Sequence, residues 1–539
     1  MTKSNLTVNQ PYRVSRFWPL VSVLVSALVL IAITFAPISA LLNLFHDDSF
    51  FYMVIARNHA AGFGYSFDGV NKTNGFHLLW LWSLSFMGST IALTGDQGIR
   101  AVVALQTVLS LSAALLYVRL LNQFKVRSWI QILFFLAYLF LCTLADIGQE
   151  SAPYGFLVAL LVSMLLGANE SQDPPIQWLR MLILMLLAML TVLVRLDCIF
   201  LLGGIALALF LAQRKVEALT LLVGMAIGLT ATFSFNYLMF GHGYSISSWL
   251  KSGFDLSKAM QLFIPGLLMR VGLVCLLLGS ALWQYKRAQA FTSLRLAPAK
   301  IPFTVLLTLC VGLAYGAYFA VLFLEVSALG SWYFNQALGL CAFLFSLTFS
   351  AGALGPQSSN APPEQQLQST HLSASPKGVW HILTYTPLFI AIGMGAILFS
   401  SKFFWAHSSA ATKEMGEWIY RNTEPNTVIF QRDGAGAVSY FAKRHLINGD
   451  GLVNNMQYQV MLRTGKLCEY LKDQQVQYVV TNTAVNAADR VQDYIFLWTT
   501  GLASVPLTNV VPSAALYATE ASPKYRLFRI QDAGTGCLQ

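Results

Sequence analysis

Residues 17–45 read FWPLVSVLVSALVLIAITFAPISALLNLF, without one ionisable side chain, and His46, Asp47 and Asp48 follow at once. A bilayer core needs about 20 apolar residues per helix, so this run is long enough to cross, and the acidic pair marks where it leaves the hydrocarbon. It exceeds the apolar core of a usual signal peptide and reads as an uncleaved anchor. The same texture extends along the chain: of 539 residues, 56% are hydrophobic and 11% charged, with a mean hydropathy of +0.59. That composition excludes an ordinary soluble protein, a disordered chain and a nucleic-acid-binding module. The net charge of +10 is spread over 34 Lys and Arg, a distribution that orients helices in a membrane rather than building one basic surface.

Long apolar runs fall near 17–42, 100–121, 128–144, 153–168, 178–194, 196–212, 217–239, 261–283, 301–326, 333–353 and 380–400, which predicts about eleven transmembrane helices. Residues 76–94 form a further apolar run, and the topology turns on it. If it crossed, Arg119, Lys125 and Arg127 would stand opposite Lys3, Arg13 and Arg16, against the positive-inside rule. Trp80, Trp82, His77 and several Ser and Thr residues allow it to lie along the outer interface instead. Every basic cluster then lands on one side: the N-terminus, Arg119 to Arg127, Arg180, Arg214 with Lys215, Lys286 to Lys300, and Lys377. The N-terminus is expected in the cytoplasm and everything after Lys402 outside.

Two segments leave the bilayer pattern. Residues 354–379, rich in Pro, Ser and Gln, read as a cytoplasmic linker. Residues 402–539 change to globular composition, with helical patterning at 413–422 and 466–474 and β-branched runs at 427–430 and 478–481. The expected organisation is an α-helical polytopic membrane domain, 1–401, carrying a first outer loop at 43–99, and a small extracytoplasmic α/β domain, 402–539. Of the seven cysteines, Cys142, Cys198, Cys275, Cys310 and Cys341 fall in membrane helices; Cys468 and Cys537 share the tail, either as a disulfide or as two free thiols.

Sorted by side, the unusual polar residues collect on the outer face. The first loop holds His46, Asp47, Asp48, Arg57, Asp68, Lys72 and His77, the second Asp146, Gln149 and Glu150, and further turns hold Arg195, Asp197, Ser245 to Lys251, Glu325, Trp332 and Tyr333. Ionisable groups at a membrane boundary are costly unless paired or functional, so their convergence predicts one cavity. Simpler readings stand beside the functional ones. One Asp of the pair caps the helix that runs to Ala61 and ends at Gly62. Glu150 meets the dipole of a helix starting near Pro153. Arg195 and Asp197 form a boundary ion pair, and Trp332 with Tyr333 belongs to an interfacial aromatic belt. The eight His residues show no metal spacing, and no nucleotide or haem motif is present.

The stretch 46–80, HDDSFFYMVIARNHAAGFGYSFDGVNKTNGFHLLW, closely resembles the first outer loop of bacterial GT-C glycosyltransferases, multispan enzymes that take sugars from polyprenyl-phosphate carriers. The shared features are the Asp pair, AlaArgAsn at 56–58, Gly62 and Gly64, PheAspGly at 67–69, AsnLysThrAsnGly at 71–75 and the end from His77 to Trp80. The family usually has Pro after that His, where this chain has Leu78. GlyGlnGlu at 148–150, ArgLeuAsp at 195–197 and the segment from Asn236 to Lys251 are similar to later family motifs. In the tail, AspGlyAlaGlyAlaValSerTyrPhe at 433–441 and AsnGlyAspGlyLeuValAsn at 448–454 resemble related bacterial members. Arabinofuranosyltransferases of mycobacterial cell walls are similar in architecture.

The resemblance implies a multi-pass protein of the bacterial plasma (inner) membrane that transfers a sugar from a polyprenyl-phosphate donor to a cell-envelope glycan or lipid acceptor, with inversion. It implies Asp47 as general base, with Asp48 and Glu150 beside it as further catalytic residues and candidate ligands for a divalent cation. Arg57, Lys72, Asn74, His77, Arg195, Asp197, Lys251 and Tyr333 are the implied substrate-binding residues. A transporter or flippase of lipid-linked glycans is the competing expectation, although such proteins tend to place polar residues at the membrane midplane and to show internal repeats.

Overall fold

Within hydrocarbon every backbone polar group must be satisfied inside the chain, so apolar runs become helices. The computed structural model describes residues 17–91, 93–143, 147–167, 174–251, 274–275, 278–283, 285, 302–325, 335–347, 408–432, 434–481, 494–496, 504–506, 512–519 and 522–530. The first run forms α1 (Phe17–Thr34), breaks, and resumes as α2 (Ile38–Leu44). The expected single span at 17–42 is thus two helices, bent by 111°. Pro37, without a backbone N–H, sits at the break. Arg100 takes the carbonyls left open there, donating to Thr34 O and, at 2.9 Å, to Ala36 O.

After this break α3 (Asp47–Ala60) packs against α4 (Leu78–Thr90). With 13 residues, α4 is about 20 Å long, short of a hydrocarbon core of about 30 Å. Trp80, expected at the membrane interface, is instead only 1% exposed and donates its Nε1–H to Gly148 O at 3.0 Å. Leu78 is the first residue of α4 after the N-cap His77. Pro is favoured at that position because the N–H it lacks has no helical acceptor, so Leu fits there as well.

The bundle continues through α5 (Gly95–Gln123), α6 (Ser128–Tyr138) with a π-turn at Leu139–Thr143, α7 (Ser151–Leu166), α8 (Pro174–Val194), α9 (Ile199–Leu211) and α10 (Lys215–Phe240). After the short α11 (Ile246–Lys251) come α12 (Phe303–Glu325) and α13 (Asn335–Leu347). Among the described residues four helices are long and apolar enough to cross a membrane, or five when α1 and α2 count as one broken span, and four shorter apolar helices accompany them. The protein is an α-helical polytopic membrane protein. Most of the expected span at 261–283, that at 380–400, the linker at 354–379 and Cys537 lie outside the described residues.

Beyond the bundle, α14 (Ser408–Asn422) leads into β1 (Val428–Gln431), α15 (Ala435–Ala442) and β2 (His445–Asn448), a βαβ unit with parallel strands. α16 (Met456–Arg463) and α17 (Leu467–Asp473) precede β3 (Tyr478–Thr481), which joins β1 in parallel. A small antiparallel pair, β4 (Tyr494–Phe496) and β5 (Ser504–Pro506), stands apart. The antiparallel hairpin β6 (Pro512–Thr519) and β7 (Ser522–Ile530) completes the main sheet, in the order β2-β1-β3-β7-β6. Side chains alternate across the strands. Phe430, Ile447 and Val479 pack with Tyr458 and Leu471 from α16 and α17. Ile429, Leu446 and Val480 face the opposite way and merge, with Val438 and Tyr440 of α15, into the same apolar cluster as Phe50 and Met53 of α3. Cys468 is disulfide-bonded.

This sheet unit and the first loop therefore share one side of the membrane. A cysteine at the exposed Lys72 should react with an impermeant thiol reagent only from that side, and one at the exposed Gln123, the last residue of α5, only from the opposite side. Labelling of both positions from the same side would refute this topology.

Candidate active site

His46, not an Asp, caps α3: its ring accepts the Asp48 N–H at 3.4 Å. Both acids lie in the first helical turn, where the helix dipole favours negative charge. Asp47 turns toward the sheet unit, its Oδ2 accepting from Gly436 N–H at 3.0 Å and its Oδ1 from Ala437 N–H at 2.9 Å. Burial pushes its carboxyl up to about 6, the two backbone donors pull it down, Asp48 raises it and His46 lowers it. Asp48 lies 3.6 Å from His46 Nδ1.

A second group of charges is assembled around Glu150. This residue is the N-cap of α7, but its side chain makes no cap bond; it turns inward and is 3% exposed. Tyr52 of α3 donates to its Oε2 at 3.1 Å, Arg195 Nη1 lies 3.4 Å from its Oε1, and His77 Nε2 lies 3.8 Å from the same oxygen. The Gln149 amide, oriented to satisfy its neighbours, also donates to Oε2, at 3.2 Å, and accepts from Ser49 N–H. Arg195 in turn makes a bidentate pair with Asp197, Nε to Oδ1 at 2.9 Å and Nη2 to Oδ2 at 2.6 Å. Tyr318 of α12 donates to Asp197 as well, and the Arg195 guanidinium stands 5.6 Å from the Tyr154 ring centre. Arg195 is 3% exposed. It is a buried hub rather than the snorkelling boundary cation, and Glu150 is its partner rather than a dipole companion. A small cleft opens beside it between Tyr154, Phe200, Tyr315 and Tyr318.

The remaining expected residues separate by position. Asn74 is buried and fastens the start of α11, donating to Tyr244 O at 2.8 Å and accepting from Ile246 N–H at 2.9 Å. This makes it a support for the segment that carries Lys251, the last residue of α11. Arg57 donates to Tyr440 O at 3.1 Å, so it braces the sheet unit. Lys72 is exposed. The side chain of Lys251, and Asp146, Trp332 and Tyr333 altogether, lie outside the described residues. Asp48 and Glu150 were the candidate cation ligands, but the donors of Tyr52, Gln149 and Arg195 already occupy the Glu150 oxygens. Among the described residues no group of three His, Cys, Asp or Glu side chains is placed to hold a metal. The sequence patterns did not single out Tyr52, Tyr154 or Tyr318; an aromatic hydroxyl inside an apolar run was their one signal. Gly436 and Ala437 stood inside a tail motif to which no role was attached.

The chain superimposes on ArnT from Cupriavidus metallidurans bound to undecaprenyl phosphate, with 12% identity, a TM-score of 0.50 and coverage of 94% of this chain and 97% of that one. This is the GT-C fold. The likeness at this identity is one of fold. ArnT from the same organism in the apo state gives a TM-score of 0.49 at 12% identity over 95% and 98% of the two chains. The apo oligosaccharyltransferase of Archaeoglobus fulgidus gives 0.46 at 12% over 88% and 70%. Residues 403–528 match a sequence family described as a domain of unknown function, DUF8728. No curated protein matches the chain. In the GT-C fold of this protein, the Arg195 hub ties the start of α7 and α12 to α3.

Arg195→Met would strand two carboxylates at the hub. It should cost about 3–5 kcal/mol, read as a lower unfolding temperature of the detergent-solubilised protein. Tyr52→Phe, which removes one donor, should cost about 1–3 kcal/mol. An Arg195→Met protein as stable as the parent would refute the hub.

Proposed function

We propose that this protein is a membrane glycosyltransferase, moving a sugar from a polyprenyl-phosphate donor to an acceptor hydroxyl on the outer face, with inversion. The observation that carries the reading is the Asp47 carboxylate in the first turn of α3 of a GT-C bundle, buried enough to sit near 6, on the same helix whose Tyr52 donates to Glu150 of the hub. A base is most useful when its pKa lies close to the working pH. The fold likeness to an ArnT structure holding undecaprenyl phosphate supports a polyprenyl-phosphate donor.

In this reading the acceptor hydroxyl gives its proton to Asp47 while its oxygen attacks the anomeric carbon. The glycosidic C–O bond breaks on the opposite face and the polyprenyl phosphate leaves with the electron pair. A single displacement inverts the configuration, whereas two carboxylates acting in succession would retain it. The leaving phosphate gains charge and needs a cation. Arg195 is shared between Glu150 and Asp197, and Arg57 is engaged with Tyr440 O. Lys251, at the end of the helix that Asn74 fastens, is therefore the assigned phosphate group.

Asp47→Asn should lower single-turnover transfer from a synthetic polyprenyl-phosphate sugar by about 10²–10⁴-fold. In the parent protein the rate should fall as pH drops through about 6, because the base works only when ionised. Near-normal transfer by the variant would remove Asp47 as base. Lys251→Met should reduce the transfer rate more than donor affinity, since charge on the phosphate grows toward the transition state; equal losses would make Lys251 a binding group only. Wild-type protein that moves the lipid across vesicles without transferring its sugar would favour the flippase.

A further inference from the structure

We infer that the α/β unit is the positioning element for Asp47, with Gly436 and Ala437 holding a carboxylate whose chemistry belongs to the membrane domain. This rests on the assignment of Asp47 as base, and it gives a role to the segment that matches a domain of unknown function.

Three observations meet at this contact. The first turn of α15 has no cap of its own: its N-cap is Gly434, at φ +68°, with no side chain to bond the open N–H groups. Two of those groups are given to the two oxygens of Asp47. They fix the rotation of the carboxylate as well as its place. The approach also depends on the missing side chain of Gly436, since a Cβ there would lie 2.4 Å from Asp47 O and 3.1 Å from both Asp47 Oδ2 and Phe50 Cβ.

The third observation is topological. Parallel βαβ units bind anions beyond the carboxyl ends of their strands, at the helix N-terminus. Here that crevice, between β1 and α15, is filled by a side chain of the other domain. The loop after the carboxyl end of β2 closes on the same outer loop, where a Cβ on Gly75 would lie 2.0 Å from Leu452 O. Asn455 donates to Asn71 at 3.1 Å, Asn71 to Gln474 at 3.2 Å, and Asp68 lies 3.5 Å from His445. Both tail motifs thus contact the first loop from segments that follow the carboxyl ends of β1 and β2, one at Asp47 and one at Gly75.

The contact and its catalytic consequence separate experimentally. In the full-length protein the amides of residues 436 and 437 should be protected from hydrogen exchange. They should exchange at least tenfold faster in Asp47→Ala and be unchanged in Asp48→Ala; unchanged exchange in Asp47→Ala would overturn the contact, whatever the activity. Ala437→Pro deletes one donor in the first helical turn, where proline is tolerated. The charged groups facing Asp47 are Asp48 and His46, both at the start of α3, and α15 carries no ionisable side chain except Tyr440, whose hydroxyl donates to Gly95 O. Losing a donor that favours the ionised form should move the acidic limb of the pH–rate profile to higher pH and lower transfer at neutral pH. Gly436→Ala, whose Cβ meets the Asp47 backbone, should lower single-turnover transfer tenfold or more at temperatures where the variant remains folded. A fall in rate that tracks melting temperature, with the acidic limb in place, would make the contact structural only and overturn the positioning role. Amides that respond to Asp47→Ala in a protein whose wild type transfers nothing from polyprenyl-phosphate sugars would overturn the reaction, and the positioning role with it, while leaving the contact standing.

Discussion

A guanidinium cannot be buried at a membrane boundary unless its charge is matched and its donors are directed, because desolvation costs several kcal/mol per ion. Arg195 meets that condition with Glu150 on one side and Asp197 on the other. The requirement draws elements together that are distant in sequence. Glu150 brings the start of α7, Tyr52 brings α3, His77 the entry to α4, and Tyr318 brings α12 against Asp197. The outer ends of these helices are therefore pinned to a common charge. α3 acquires a fixed direction, and Asp47 at its first turn is presented to whatever covers the loop.

What covers it is built with the same economy. Gly434 leaves a helix start uncapped, Gly436 lets another backbone come close, and the strands of the α/β unit aim both motif loops at the membrane domain. The unit is not an appendage on a linker. Its apolar face is continuous with the core around α3, and an ion pair from Lys413 to Asp96 at 2.8 Å and the stacking of Arg463 on Trp249 at 3.8 Å add contacts at the rim. Such rim pairs contribute little individually; they mark how far the interface extends.

Much of this was legible in the chain, and for identifiable reasons. Hydropathy runs and positive charges describe a bilayer in one dimension, so most described helices fall where the apolar runs of the sequence lie, and the run at 76–94 holds the short α4. The β-branched runs at 427–430 and 478–481 lie in β1 and β3, and the helical patterning at 413–422 and 466–474 lies in α14 and α17. The misreadings share one cause, namely that the deciding partner is remote. The bend at Pro37 is stabilised by Arg100, and Trp80 is buried because Gly148 offers it an acceptor. The helix cap is the local exception: an Asp of the pair was an eligible cap, and the adjacent His46 takes that place. Asp47 and its donors are 389 and 390 positions apart, a pairing that spacing rules do not reach. The residues grouped as substrate-binding shared a side of the membrane, and the fold divides them into supports, such as Asn74 and Arg57, and members of the buried hub.

That separation also has a consequence in time. Chains are made at about 5–20 residues per second, so a loop that is translocated early waits roughly 20–80 s for a partner 389 residues downstream. Through that interval Asp47 lacks the two backbone donors that fix its carboxylate in the finished protein. Assembly is thus ordered by the ribosome: α3 is laid down first, and the helix start that meets Asp47 follows 389 residues later.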